Sequence, residues 1–249
     1  MPILAYILLF TLIGSVISLI GGVLLLLKVE LATKLAHYLS SFAAGVLLGT
    51  AFFDLLPEAL HDAGEINIFA WCLGGFLAFF LFERFIHWFH NHQEGSKEKA
   101  VVSMINLGDT IHNFVDGVAI AGTFLVSVPL GIVTTLAVAA HEIPQEIGDF
   151  GVMLHKGVKR SKVLMFNLLS SLAALLGAML AYLAASTIES KLPIILSVAA
   201  GFFIYIAAAD LIPEIHNQEK RKVAFIETVL LLFGAVLVWF TVSMLEGAH

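Results

Sequence analysis

The residues best able to do chemistry fall in two short polar segments, 109–117 and 141–149, of a very apolar chain. His112 and Asp116 are four residues apart, so they share one face of a helix, and the second segment repeats that spacing twice. Imidazole nitrogens and carboxylate or amide oxygens are ligands for divalent metals such as zinc, iron and manganese. The spacing therefore predicts a metal site between two helices. Its seven candidate ligands are His112, Asn113, Asp116, His141, Glu142, Gln145 and Glu146.

The composition indicates that these helices lie in a membrane. Of the 249 residues, 59% are hydrophobic and 13% are charged, whereas soluble domains carry about 25% charged residues. The single cysteine excludes a disulfide framework. The net charge of -6, without a basic stripe, argues against nucleic-acid binding. We expect an all-α integral membrane protein whose residues 1–249 form a single transmembrane domain.

Hydropathy predicts eight membrane-spanning helices, because a span needs roughly 20 mostly apolar residues. All but one of the 13 lysines and arginines fall in or beside the loops of one side. Basic residues mark the cytoplasmic side, so both termini are predicted to be extracytoplasmic. The predicted spans are 3–27, 35–60, 69–91, 101–126, 130–155, 161–187, 191–214 and 223–245.

The two histidines are predicted to lie near the bilayer centre, since each is about eleven residues from one end of its span. Ionisable groups at that depth are costly and functional by default. Pro144 frees a backbone carbonyl beside them, which is tolerable only against other helices or a wet cavity. Asp109 and Asp149 lie toward the cytoplasmic side and are candidates for an exit pathway.

A repeated motif indicates internal symmetry. Residues 41–45 and 54–58 recur as similar sequences at 197–201 and 210–214, at a constant offset of 156 residues. Helices 1–3 would then correspond to helices 6–8, in inverted orientation, with helices 4 and 5 between them. Inverted repeats are typical of secondary transporters, so we expect residues 1–249 to form one transporter domain in a 3+2+3 arrangement. Asp54 and Asp210, at matching positions of the repeat, are further pathway candidates.

The motifs His112-Asn113-x-x-Asp116-Gly117 and His141-Glu142-x-Pro144-Gln145-Glu146 resemble those of the ZIP (Zrt-/Irt-like) metal transporters. The resemblance covers nearly the whole chain. It implies transport of zinc or a similar dication toward the cytoplasm, through a metal centre on helices 4 and 5 that is often described as binuclear. The ligands it implies are His112, Asn113, Asp116, His141, Glu142 and the position of Gln145, and Glu146 matches the last acid of the motif.

Two departures from that subgroup bear on the metal. Gln145 stands where the pattern has a histidine, and an amide oxygen is a weaker zinc ligand than imidazole. Zinc stays first among the expected substrates, but the missing imidazole argues against a strict zinc preference and leaves iron, manganese or cadmium open. The middle of span 6 has only Asn167 and Ser170 where some relatives supply a bridging carboxylate, so one or two ions per site stay open.

The main alternative is an intramembrane zinc metalloprotease, because His141-Glu142-x-x-Gln145 partly matches H-E-x-x-H. The second histidine is missing, so we expect a transporter rather than an enzyme, with metal ions as substrates and no cofactor. The sequence does not distinguish a carrier from a channel.

Expected partners are divalent metal ions and the lipid bilayer, and a homodimer is left open. The expected location is the plasma (inner) membrane, with several spans.

Overall fold

A computed structural model describes residues 2–91, 97–185, 191–216 and 221–246. These residues are helical apart from short connections, which confirms the all-α prediction. Eight long helical segments follow one another in the described ranges. They are α1 (Ile3–Leu27), α2 (Val29–His61), α3 (Ile68–Asn91), α4 (Lys97–Val126), α5 (Val128–His155), α6 (Arg160–Leu183), α7 (Leu192–Leu211, continued by Ile212–His216) and α8 (Arg221–Glu246).

Six of these described helices are long and apolar enough to cross a membrane: α1, α2, α3, α6, α7 and α8. The other two, α4 and α5, carry the polar segments that hold the candidate ligands. The chain is therefore a membrane protein in which two polar helices lie among apolar ones.

The connections follow the turn signals of the sequence, with one difference. Gly64 has a φ of +53°, where a side chain would be strained, and it marks the break before α3. The side chain of Ser127 caps α5 by accepting a hydrogen bond from the Leu130 amide at 3.3 Å. α2, however, starts at Val29 rather than at residue 35, so Lys28 is the single residue between α1 and α2. The prediction of a longer break there is wrong.

A π-helical turn interrupts both α2 and α7. The first covers Ala51–Leu55 and the second covers Ile206–Leu211. Each is followed within two residues by a proline, Pro57 or Pro213, which lacks an amide hydrogen and whose ring pushes away the preceding turn. A wider turn accommodates that ring. Each π turn contains one of the repeated aspartates.

The helices pack in pairs, with α1 against α5, α4 against α6, α2 against α8 and α3 against α7. Glycines allow the closest of these approaches. A Cβ atom on Gly117 of α4 would lie 1.9 Å from the Ala174 carbonyl oxygen of α6, and one on Gly177 would lie 2.2 Å from that of Phe114. α4 and α5 also contact each other directly, with α6 packed against α4 and α1 packed against α5.

Candidate metal centre

Four side chains from α4 and α5 meet in a first group, defined by His112, Asp116, His141 and Glu142. The two imidazole Nε2 atoms are 3.0 Å apart, and His141 Nε2 lies 3.3 Å from Asp116 Oδ2. His112 Nε2 lies 3.6 Å from both Asp116 Oδ2 and Glu142 Oε1. Ligands bonded about 2.0–2.2 Å from a tetrahedral ion lie about 3–4 Å from one another. The four side chains therefore have the separations of a metal shell.

A backbone contact orients His141 toward this group. Its Nδ1 atom lies 3.0 Å from the carbonyl oxygen of Ala137, one turn earlier on α5. Because a carbonyl only accepts hydrogen bonds, Nδ1 carries the proton and the lone pair of the neutral ring is on Nε2. Metal-bound histidines are commonly fixed in this way by a partner on the other ring nitrogen.

A second group adjoins the first and is defined by Asp109, Glu142 and Glu146. Its carboxylate oxygens lie within 4.8 Å of one another, and Glu142 belongs to both groups. Asn113 donates from its side-chain amide to the Asp109 carboxylate at 2.9 Å and to the Asp109 carbonyl at 3.1 Å. One carboxylate thus lies between two adjacent sets of ligands.

Three carboxylates of the two groups have buried oxygens that lack a hydrogen-bond donor. Within the described residues, no donor reaches either oxygen of Glu142 or Glu146, or Oδ2 of Asp116. Buried carboxylates are costly unless they are paired, hydrogen-bonded or bound to a metal. Glu142 also lies close enough to Asp109, Asp116 and Glu146 for their charges to interact. The arrangement suits a cation that neutralises several of them at once.

The other two candidate ligands, Asn113 and Gln145, lie beside the two groups. Asn113 is buried beside Asp109, and its amide nitrogen is already engaged there. Gln145 is half-buried and lines a cavity together with both histidines. Neither residue belongs to the two groups formed by histidine and carboxylate atoms. Whether they bind the ion stays a prediction.

A cavity of about 900 Å³ begins at His112 and His141. It extends past Val152 toward the junction of α1 and α2, where Leu25 and Val29 line its wall. Helices α1, α2, α3, α4, α5 and α7 all contribute to this wall. The candidate metal centre is therefore reached from the side where Lys28 connects the first two helices.

The four predicted pathway residues divide between this cavity and the packed interior. Asp109, Asp149 and Asp210 line the cavity. Asp54 is buried in α2 and is not among the described residues that form the cavity wall. The two repeated aspartates thus have different surroundings although their sequence motifs match.

The cavity wall contains functional groups that the sequence analysis missed. Glu83 of α3 faces the cavity and accepts a hydrogen bond from the hydroxyl of Tyr205 on α7. An acid inside the predicted span 69–91 was the signal for Glu83. His37 and Ser40 of α2 also line the wall. Polar residues are common near the start of a helix, so the sequence offered no specific reason to place these two in a cavity.

A model of the ZIP Zinc transporter family matches residues 3–104 and 90–241, which together cover nearly the whole chain. The chain belongs to the ZIP zinc transporter family. It is 32% identical over 255 residues to Zinc transporter ZIP13 of Pongo abelii, covering 91% of this chain and 76% of that relative.

Two further relatives are similar at comparable levels. Zinc transporter ZIP13 homolog of Drosophila melanogaster is 27% identical over 317 residues, covering 95% of this chain and 89% of the relative. Zinc transporter ZIP4 of Mus musculus is 30% identical over 276 residues, covering 80% of this chain and 42% of the relative. These findings confirm the family resemblance and do not support the protease alternative, since the ZIP family consists of transporters rather than enzymes.

Proposed function

We propose that this ZIP family member carries divalent metal cations, zinc first among them, across the membrane toward the cytoplasm. The observation that carries the proposal is the first group, where two imidazoles and two carboxylates from α4 and α5 converge in a buried position. Relatives named as zinc transporters support the same substrate. Iron, manganese and cadmium remain competing substrates, because Gln145 replaces an imidazole in the family motif.

The shared carboxylate supports a centre for two ions. The first group offers nitrogen and oxygen ligands, which suit zinc, whereas the second offers only carboxylate oxygens, supplemented by the nearby amide of Asn113. Glu142 would bridge the two ions and reduce their mutual repulsion. We propose that the first group binds one zinc ion tightly and sets the affinity. The second group binds a second ion beside the first, with lower affinity.

The position of the cavity supports an inward-open state of a carrier. The cavity joins the two histidines to the end of the molecule where Lys28 lies, and basic residues mark the cytoplasmic side. In this state Asp109, Asp149 and Asp210 would receive the ion as it leaves the centre. Asp54 lies toward the opposite end and is buried, as expected for an outer path that is closed.

Alternating access in transporters is commonly built on inverted repeats, and the fold supports one here. The π turns of α2 and α7 fall at corresponding positions of the repeat, with Asp54 and Asp210 at equivalent places. The pairing of α2 with α8 corresponds to that of α7 with α3, and the pairing of α1 with α5 to that of α6 with α4. We therefore propose eight spans, arranged 3+2+3, with extracytoplasmic termini.

We further propose that the chain is a multi-pass protein of the plasma (inner) membrane. Lipid would contact the apolar faces of α3 and α8, where large hydrophobic side chains such as Trp71 and Trp239 are exposed. These faces are also available for a homodimer.

Uptake into proteoliposomes tests the proposed function. The purified chain is reconstituted, and zinc entry is followed with a zinc-sensitive dye trapped inside. Glu142→Gln and His112→Ala should abolish the saturable uptake, because each removes a ligand of the first group. Glu227→Gln is the matched control, since Glu227 is 1% exposed and Glu142 is 3% exposed, but Glu227 lies on α8 outside both groups. Undiminished uptake by both site variants would contradict the assignment.

A further inference from the structure

Three buried threonines have hydroxyl groups for which the described residues provide no hydrogen-bond partner. They are Thr11 of α1, Thr50 of α2 and Thr134 of α5, and none is more than 1% exposed. A buried threonine in a membrane helix normally satisfies its hydroxyl with a carbonyl of the preceding turn. Thr123 and Thr135 do so in this protein. Three exceptions on three helices therefore need an explanation.

The three helices that carry these threonines pack against one another. In the proposed orientation α1 and α5 begin on the outer side and α2 ends there. Thr11 lies early in α1, Thr134 lies early in α5 and Thr50 lies late in α2, so all three are in the outer half of the bundle. Gly14, one turn after Thr11, lies against the side chain of Thr135 in α5.

Two of the threonines continue faces that border the transport cavity. Thr134 precedes His141 by two helical turns and thus lies on the same face of α5, directly outward of the first group. Thr11 precedes Leu25 by four turns on one face of α1, and Leu25 lines the inner cavity. Asp54, a proposed pathway residue, follows Thr50 on α2.

We infer that Thr11, Thr50 and Thr134 line the outer half of the cation path, which is closed in this conformation. When the path opens, the hydroxyls bind the hydrated divalent cation and the water that it sheds before it reaches His141. Oxygen donors without charge suit this step, because they replace hydration water without holding the ion strongly. The inference rests on the proposed function and assigns residues to its outer path.

Two valine variants test the role of the hydroxyl. Thr134→Val removes it at nearly constant volume, and Thr135→Val is the matched control on the same helix, since Thr135 is 3% exposed and bonds to Gly131 at 2.8 Å. We expect Thr134→Val to lower the initial rate of zinc uptake about threefold to tenfold. Thr134→Ser should restore the rate, and Thr135→Val should match the wild type. The equilibrium affinity of the purified protein for zinc should be the same in all four proteins.

Cysteine accessibility provides a second measurement that does not depend on the rate. In a Cys72→Ser background, Thr134→Cys should react with a membrane-impermeant maleimide added to the side of the termini, and the reaction should block uptake. Thr135→Cys should remain unmodified. An unreactive Thr134→Cys protein, together with wild-type uptake by Thr134→Val, would overturn the inference while leaving the proposed function intact. If the wild-type chain itself fails to carry zinc, the proposed function falls and this inference falls with it.

Discussion

Replacing Glu142 with glutamine should have opposite effects on the metal-free and the metal-bound protein. Glu142 is shared by both groups of ligands, and neither of its buried oxygens has a donor in the described part of the chain. Glutamine keeps the shape and removes the charge. Without metal, the substitution relieves repulsion from Asp109, Asp116 and Glu146. With metal, it removes a negative ligand from both ions.

The size of each effect follows from the burial of the carboxylate. Removing one partner of a buried ion pair costs about 3–5 kcal/mol. Since about 1.4 kcal/mol corresponds to a tenfold change, the dissociation constant for zinc should rise about a hundredfold to several thousandfold. At a free zinc concentration of about 100 times the wild-type dissociation constant, bound zinc stabilises the wild type by about 2.7 kcal/mol. The variant should gain little of this, whereas its metal-free form should gain about 1–3 kcal/mol at a pH where Glu142 is ionised, because it no longer buries an unpaired charge.

Thermal unfolding of the purified protein, followed by tryptophan fluorescence with and without zinc, measures both effects. Glu142→Gln should raise the Tm of the metal-free protein and lose the increase in Tm that zinc causes. Glu227→Gln should keep that increase. A Glu142→Gln protein that retains the full zinc-dependent increase would refute the assignment of Glu142 as a shared ligand. A lower metal-free Tm would refute the electrostatic reasoning.

Three further substitutions test other parts of the site. Asp109→Asn should remove the second ion while the first remains. The zinc content measured by mass spectrometry should then fall from two ions per chain to one. An unchanged zinc content would contradict the assignment of the second group as an ion site. Gln145→His should increase the preference for zinc over manganese about tenfold in competition binding, because imidazole is the better zinc ligand, and an unchanged preference would place Gln145 outside the shell. Gly117→Val should lower the Tm and weaken zinc binding, since its side chain would meet the Ala174 carbonyl, whereas Gly74→Ala, which has open space around it, should leave zinc binding unchanged.

The convergence of the two groups of side chains could be predicted from the sequence, because it depends on helical spacing and polarity. His112 and Asp116 share a face by their spacing alone, and a buried polar face needs a partner such as that of α5. The family motif pointed to the same residues, and family membership is now established. The helical class and most connections were predictable for similar reasons, since proline, glycine and serine mark their ends.

Other features depend on tertiary packing and had no local signal. α2 starts at Val29, directly after Lys28, whereas the charges of Lys28 and Glu30 suggested a longer break. The π turns arise where a proline must fit inside a continuing helix, which spacing rules do not reveal. The contact between Glu83 and Tyr205 joins helices that are distant in sequence. The different surroundings of Asp54 and Asp210 depend on which side of the bundle is open.

Crystals of the wild-type protein grown in saturating cadmium, measured at a wavelength where cadmium scatters anomalously, test the central claim most directly. We predict an anomalous peak between α4 and α5, within about 2.0–2.5 Å of ligand atoms from His112, Asp116, His141 and Glu142. A second, weaker peak should lie on the side of Asp109 and Glu146. Polar faces of α4 and α5 that point apart, with no peak between them, would contradict the account.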